Sequence, residues 1–250
     1  MSQQMEPVFS IITVTYNASA VVEGTIRSVL SQKYQNIEYI IIDGASKDST
    51  MDIIGKYRGR ITTVISEKDR GIYDAMNKGI KAATGDYLCF LNAGDKFHSH
   101  DTLRRVAASL NRLGSLPGVV YGETEIVDGQ GHDLGPRRLK APEKLSWKSF
   151  RNGMVVCHQA FFARRDLALT EPYDLRYPYC ADIDWCIRIM KRSKVLHNTG
   201  YILIDYLNEG MSTRNRWASL KERFAIMKHY YGLPVTLFRH AWFVLRSAFK

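Results

Sequence analysis

Residues 86 to 97 read DYLCFLNAGDKF, and their chemistry lies in an abrupt change of character. The uncharged run Tyr87 to Leu91 gives way to Asn92-Ala93-Gly94-Asp95: an amide, a small residue, a glycine and a carboxylate. Two readings fit those types. One is a plain surface turn; the other is a shelf where oxygen ligands hold a divalent cation against a phosphate group. Other acids stand where similar runs stop. Asp43 closes EYIIID, Asp69 follows TTVISEK, and Asp182 and Asp184 lie two apart in YCADIDWCIR. A carboxylate ionised at neutral pH can accept hydrogen bonds, ligate a metal or take a proton from a substrate hydroxyl. Arg70, between Asp69 and Asp74, is a side chain that can pair with phosphate.

The elements that must position these groups alternate over the first hundred residues. FSIITVTY (9–16) precedes AVVEGTIRSVLSQ (20–32), where Val22, Ile26, Val29 and Leu30 recur at helical spacing. EYIIID (38–43) leads into SKDSTMDIIGKY, with Ser46 or Asp48 as a helix cap. TTVIS (62–66) leads into GIYDAMNKGIKAA, whose Ile72, Ala75, Met76, Gly79, Ile80 and Ala83 share a stripe. DYLCFL (86–91) closes the set. Continuous apolar strands between amphipathic helices predict an α/β fold, a Rossmann-like and mostly parallel sheet with helices on both faces. Ligands of such sheets bind beyond the carboxyl ends of the strands. Those ends are Thr15-Tyr16-Asn17, Asp43-Gly44, Ser66 to Asp69, and Asn92 to Asp95. Asp74 and Asn77, three apart, share a helix face opposite the apolar stripe.

After a helix around residues 101–112 the alternation decays. Strands are expected over 118–128 and in VCHQAFFARRDL, with QGHDLGPRRLKAPEK a loop between them. YCADIDWCIRIMKR is helical, with Ile183, Cys186, Ile187 and Met190 on one face. Only one of Asp182 and Asp184 can then face a site, and Asp182 is alternatively that helix's N-cap.

The 250 residues, 45% hydrophobic and 24% charged, suit an ordinary globular chain of one large or two small domains. No run of about 18 uncharged apolar residues predicts a spanning helix. MSQQMEPVFSIITV lacks the basic and then apolar regions of a secretory signal. Cys89, Cys157, Cys180 and Cys186 show no C-x-x-C pairing, so they read as reduced core thiols of a cytoplasmic protein. The formal charge of +10 suits a polyanionic partner, but from residue 214 onward eight basic residues oppose the single acid Glu222. A nucleic-acid enzyme would spread basic and aromatic residues over its working face, so no nucleic acid is expected as partner. A dehydrogenase is excluded, since no G-x-G-x-x-G follows any strand.

ITVTYNA, IIIDGASKDST, DRGIYDAMNKGIKAATGDYLCFLNAGD, HQAFF and ADIDWCIR occur in this order. With them the chain resembles the glycosyltransferase family 2 enzymes, which have the GT-A fold, over roughly residues 8 to 190. The resemblance implies transfer of a sugar from a nucleotide diphosphate donor, a UDP-sugar first, to an acceptor hydroxyl with inversion. Residues 1–210 are then a catalytic domain, with 1–100 binding the nucleotide-sugar and 101–210 the acceptor, and 211–250 a basic amphipathic helical tail. Thr15, Tyr16 and Asn17 would wrap the base, and Asp43 would accept from the uracil imide. Asp69, Arg70, Asp74 and Asn77 would complete the donor site. Asn92 to Asp95 takes the place of the family's D-x-D, which holds Mn²⁺ or Mg²⁺ against the diphosphate. Asn92 replaces the first acid and Gly94 the third position, leaving Asp95 for the metal and the Asn92 amide for a ribose hydroxyl or a metal's water. Asp182 matches the general base, although the family's usual E-D pair here reads Ala181-Asp182. His158, Gln159 and Asp184 belong to the acceptor side. NEGMST (208–213) resembles a loop that closes over the diphosphate in relatives.

Two rivals remain. Sugar-phosphate nucleotidyltransferases have a related core but need a Gly-rich, basic loop after the first strand, and TYNASAVVEG is not one. A non-catalytic nucleotide- or glycan-binding module is open because both acidic motifs are depleted. The tail RWASLKERFAIMKHYYGLPVTLFRHAWFVLRSAFK interleaves apolar and basic residues, a pattern of helices that lie on anionic membranes. A helix pair packed on the catalytic domain and a homodimer contact are the alternatives. The membrane reading expects a cytoplasmic protein, peripheral at the inner face of the plasma membrane. Its acceptor would be a lipid-linked glycan for bacterial surface polysaccharide.

Overall fold

The computed structural model of the chain describes residues 6–208 and 215–248. The strands β1 (Phe9–Thr15), β2 (Ile37–Asp43), β3 (Thr63–Ser66) and β4 (Tyr87–Phe90) lie parallel in the order β3-β2-β1-β4. They are joined through α1 (Val22–Leu30), α2 (Thr50–Gly55) and α3 (Ile72–Ala82). Their apolar continuity has a direct cause. Ile12, Ile40 and Phe90 point into one core with Met76 and Trp185, while Ile11, Ile41 and Cys89 point into the other with Ile26 and Leu103. Each such fully buried side chain contributes roughly 1.5–3 kcal/mol, so both faces drive the sheet.

A short β5 (Lys96–Phe97) and α4 (Thr102–Leu113) follow, then β6 (Val119–Val127), β7 (Asp133–Pro136) and β8 (Phe161–Arg164). β8 runs antiparallel between β4 and β6, and β9 (Leu196–Leu207) pairs parallel with β6, giving β3-β2-β1-β4-β8-β6-β9-β5 with β7 against β6. The sheet is therefore mixed and mostly parallel. Two elements differ from the sequence expectation. β7 lies inside the expected loop, and the twelve-residue β9 has only a partly buried pattern, without the apolar run that marks β1 or β2. VCHQAFFARRDL also divides into a tight turn, β8 and α5 (Arg165–Thr170).

Helix α6 (Ala181–Arg192) covers the first core through Trp185, which stacks on Tyr173 with ring centroids 4.8 Å apart. The C-terminal helices are α7 (Arg216–Tyr231) and α8 (Leu233–Ala248). α7 is fastened to the body: Tyr231 donates to the Trp147 carbonyl and stacks on its ring at 5.7 Å. Among the described residues no helix is long and apolar enough to cross a membrane.

Candidate active site

The carboxyl ends of β1, β2 and β3 form one edge of the site. Asp43, the last residue of β2, is fully buried and accepts from the Ser46 amide, the Ser46 hydroxyl and the Ser66 hydroxyl. It thereby stitches the ends of β2 and β3 together. Asn17 adopts a left-handed φ of 48°, tolerated by an asparagine, and its side chain accepts from the Lys47 amide. Gly44 marks the closest approach of these loops. A Cβ there would lie 2.5 Å from an Asp69 carboxylate oxygen and 3.3 Å from the Tyr16 ring. Tyr16 is 59% exposed above this point, and the Thr15 hydroxyl is buried without a partner among the described residues.

At the start of α3, Asp74 accepts from the Arg70 amide and from its guanidinium at 3.3 Å. Burial pushes the Asp74 carboxyl up, but these Arg70 contacts outweigh it and hold it below the usual carboxylate range. The structure engages two of the expected site residues elsewhere. The Asn77 amide exchanges hydrogen bonds with the Tyr173 backbone in both directions, at 2.9 and 2.7 Å. Asp184 accepts from Arg188 and from the Tyr230 hydroxyl, each at 2.7 Å, and so locks α6 to α7. Neither the family resemblance nor helical spacing reveals such partners, which lie far along the chain.

A cleft of about 360 Å³ gathers Asn92, Asp95, His158, Gln159 and Asp182. Its floor is the turn after β4. Thr25 of α1 pins that turn, donating to the Asp95 carbonyl and accepting from the Gly94 amide. Gly94 has φ 105°, and a Cβ there would lie 2.7 Å from Leu207, so only glycine fits. The Asp95 carboxylate is buried, accepting from Gln159 Nε2 at 2.9 Å and the Leu207 amide at 3.0 Å. Burial pushes its carboxyl up to about 6 despite those bonds. The Cys157 thiol, itself pushed up to about 11 by burial, stays protonated and donates to Gln159 Oε1. That fixes which end of the Gln159 amide faces Asp95.

Asp182 stands in the first turn of α6. Tyr73 of α3 donates to its Oδ1 at 3.1 Å, as does the Ile183 amide, while His158 Nδ1 faces Oδ2 at 3.3 Å. Burial pushes the carboxyl up, but His158, then Tyr73 and the Ile183 amide, outweigh it and hold it below the usual range. A carboxylate only accepts, so His158 carries its proton on Nδ1, and Nε2 meets the Asn92 amide nitrogen at 3.4 Å. Asn92 Oδ1 is then left buried without a partner among the described residues. The acid that opposes the basic tail also serves here: Glu222 accepts from the Tyr179 and Cys180 amides at the start of α6. A negative charge suits that helix N-terminus. Tyr73 and Glu222 were missed in the sequence. Glu222's isolation among basic residues was the available signal.

No group of three or more His, Cys, Asp or Glu among the described residues could hold a metal by itself. The turn nevertheless offers two hard oxygens, the buried Asp95 carboxylate and the unpartnered Asn92 Oδ1, which fit an ion whose other ligands come from a diphosphate. NEGMST lies, apart from Asn208, outside the described residues.

The parallel strand ends, with the cleft that opens beside them, have the architecture of the GT-A glycosyltransferases. The chain belongs to glycosyltransferase family 2: the family model "Glycosyl transferase family 2" matches residues 10–170. It is 35% identical over 212 residues, 81% of this chain and 77% of the relative, to a "PGL/p-HBAD biosynthesis glycosyltransferase" of Mycobacterium bovis. To the putative teichuronic acid biosynthesis glycosyltransferase TuaG of Bacillus subtilis it is 26% identical, covering 89% and 88% of the two chains. Among solved structures, S. aureus TarS 1–349 in complex with UDP-GlcNAc superposes with a TM-score of 0.72 at 17% identity, over 88% of this chain. The chain spans 64% of that TarS fragment. The mannosyltransferase PcManGT from Pyrobaculum calidifontis, with GDP-Man and Mn²⁺, gives a TM-score of 0.60 at 15% identity over 96% and 81% of the chains. Both likenesses are of fold.

Proposed function

We propose that the protein is an inverting glycosyltransferase that moves a sugar from a nucleotide diphosphate donor to a hydroxyl of a glycan or lipid-linked glycan. The observation that carries this reading is Asp182, kept anionic by Tyr73, the Ile183 amide and His158 at the wall of the cleft that also holds Asn92 and Asp95. Tyr73 and Ile183 both hold Oδ1 while His158 alone faces Oδ2, so Oδ2 keeps the lone pair that receives the acceptor's proton as its hydroxyl oxygen bonds to the anomeric carbon. The bond from that carbon to the diphosphate breaks, and the diphosphate leaves with the electron pair from the opposite face. In this reading Asp43, Thr15, Tyr16, Asn17 and Asp69 would border the nucleoside, and Arg70, now paired with Asp74, would turn to the phosphates.

Asn92 and Asp95 would hold Mn²⁺ or Mg²⁺, which when bound neutralises the charge of the leaving diphosphate. UDP is the first candidate nucleotide, in keeping with the UDP-GlcNAc complex of TarS. A surface-polysaccharide or glycolipid acceptor is in keeping with the biosynthetic roles named for the mycobacterial and Bacillus relatives. An anionic membrane surface completes the picture: α8 presents Leu233, Leu237, Phe238 and Trp242 outward, with Trp217 of α7 79% exposed.

The test is a panel of UDP-, GDP-, CDP- and dTDP-sugars with Mn²⁺ and a sugar acceptor, assayed for nucleoside diphosphate, beside nucleoside triphosphates with sugar 1-phosphates, assayed for pyrophosphate. Release of a nucleoside diphosphate from one donor, with inverted product, is expected. Pyrophosphate as the product would establish the nucleotidyltransferase alternative.

A further inference from the structure

Two arginines of the cleft have no part in the chemistry above. Arg223, on α7, reaches the cleft wall beside the Cys180 thiol. Its Nε is buried and has no hydrogen-bond partner among the described residues. Its neighbour Glu222 does not neutralise it, since that carboxylate turns to the Tyr179 and Cys180 amides. Arg137, just past β7, also lines the cleft and gives one terminal nitrogen to the Met154 carbonyl at 3.0 Å. Neither arginine forms an ion pair with a described carboxylate. A guanidinium N–H withheld from water and left unpaired is unfavourable, so its place in a substrate cleft calls for an acceptor brought by the ligand.

The surroundings indicate what that acceptor is joined to. Leu139, two residues beyond Arg137, lies with Asn152 and with Arg239, Trp242 and Phe243 of α8 around a second, smaller hollow. From there the apolar residues Leu237, Phe238 and Trp242 continue outward on α8. Asp182 and the two arginines thus line one cleft, and Leu139, close to Arg137 in the chain, lines the hollow against α8 with its exposed apolar residues. An acceptor sugar joined through a phosphate to an apolar chain has the same three parts.

We infer that Arg137 and Arg223 form an anion subsite that binds the phosphate linking the acceptor's sugar to its apolar chain. This names the acceptor class within the transferase reading and rests on it. The planar guanidinium fork suits phosphate oxygens better than a lysine would, because it binds them in pairs. The competing source of the same chemistry is the donor's own diphosphate.

Titration of the full chain, saturated with the nucleoside diphosphate it binds, separates the two sources. Farnesyl phosphate and farnesol are the probes. Wild-type protein is expected to bind farnesyl phosphate at least about tenfold more tightly than farnesol. R137Q and R223Q should each weaken farnesyl phosphate roughly tenfold to a hundredfold while leaving farnesol and the nucleotide unchanged. R223K should restore part of the loss, since it keeps the charge without the fork. Equal binding of phosphate and alcohol by the wild type overturns the inference, whether or not the variants fold. So does a parallel loss of nucleotide affinity in both variants, which would assign the arginines to the donor. Nucleotide binding intact with no phosphate preference sinks the subsite alone; no nucleotide binding at all sinks the transferase reading beneath it.

Discussion

At Asp182 opposing effects meet. Burial raises the carboxyl, and the His158 ring, the Tyr73 hydroxyl and the Ile183 amide lower it further than burial raises it. A base must be ionised to work, so Tyr73→Phe, which removes one lowering contact, should move the acidic limb of the kcat/KM profile to higher pH. His158→Asn should move it further in the same direction, because the ring is the larger influence. A profile that does not move in either variant would remove Asp182 from the role of base. Asp182 was legible because it stands in a recognisable order of motifs. Tyr73 was not: within GIYDAMNKGIKAA it has the look of a core aromatic, and only the packing of α3 against α6 brings its hydroxyl to the carboxylate. Asn77 and Asp184 show the reverse, polar residues whose partners Tyr173 and Tyr230 lie far along the chain.

β1, β2 and β4 were legible because each is buried on both faces, which demands a continuous apolar run, whereas β3 at the sheet's end is only partly buried. β9 was not, because its burial is partial and its pairing with β6 parallel and long-range. One buried acid belongs to this scale. Glu38 of β2 accepts from the Ser10 hydroxyl, the Thr84 amide and hydroxyl, and the Gly85 amide, and so ties the start of β4 to β1 and β2. Burial raises its carboxyl but those bonds outweigh it, leaving it below its ordinary value of 4.5. The unfolded chain then binds the extra proton, so this stability is present above about pH 4.5 and is lost as pH falls through the lower folded value. Glu38→Gln should cost about 1–3 kcal/mol at neutral pH in a denaturant titration, and it should flatten the acid side of the stability curve. Equal stability at pH 7 would show that the neutral amide serves as well.

For the whole molecule, the two C-terminal helices differ in how they meet the body, and membrane contact is a proposal for α8 alone. α7 is bound to the body through Tyr230, Tyr231 and Glu222, while α8 keeps Phe238 69% exposed beside Leu237 and Trp242. Vesicles containing phosphatidylglycerol should bind the protein, vesicles of phosphatidylcholine alone should bind it far less, and added salt should weaken the contact. Phe238→Ser with Trp242→Ser should reduce binding at least about tenfold, given roughly 1.5–3 kcal/mol for each buried aromatic side chain. Unchanged sedimentation of the double variant with vesicles would assign the stripe to another contact.

The whole account turns on separating donor binding from chemistry at one residue. Asp182→Asn keeps the size of the side chain and removes its ability to take a proton. The decisive measurement compares nucleotide-sugar affinity and turnover in the wild type and this variant. Unchanged affinity and a turnover lower by about 10²–10⁴-fold are expected. Wild-type turnover in Asp182→Asn would contradict that expectation.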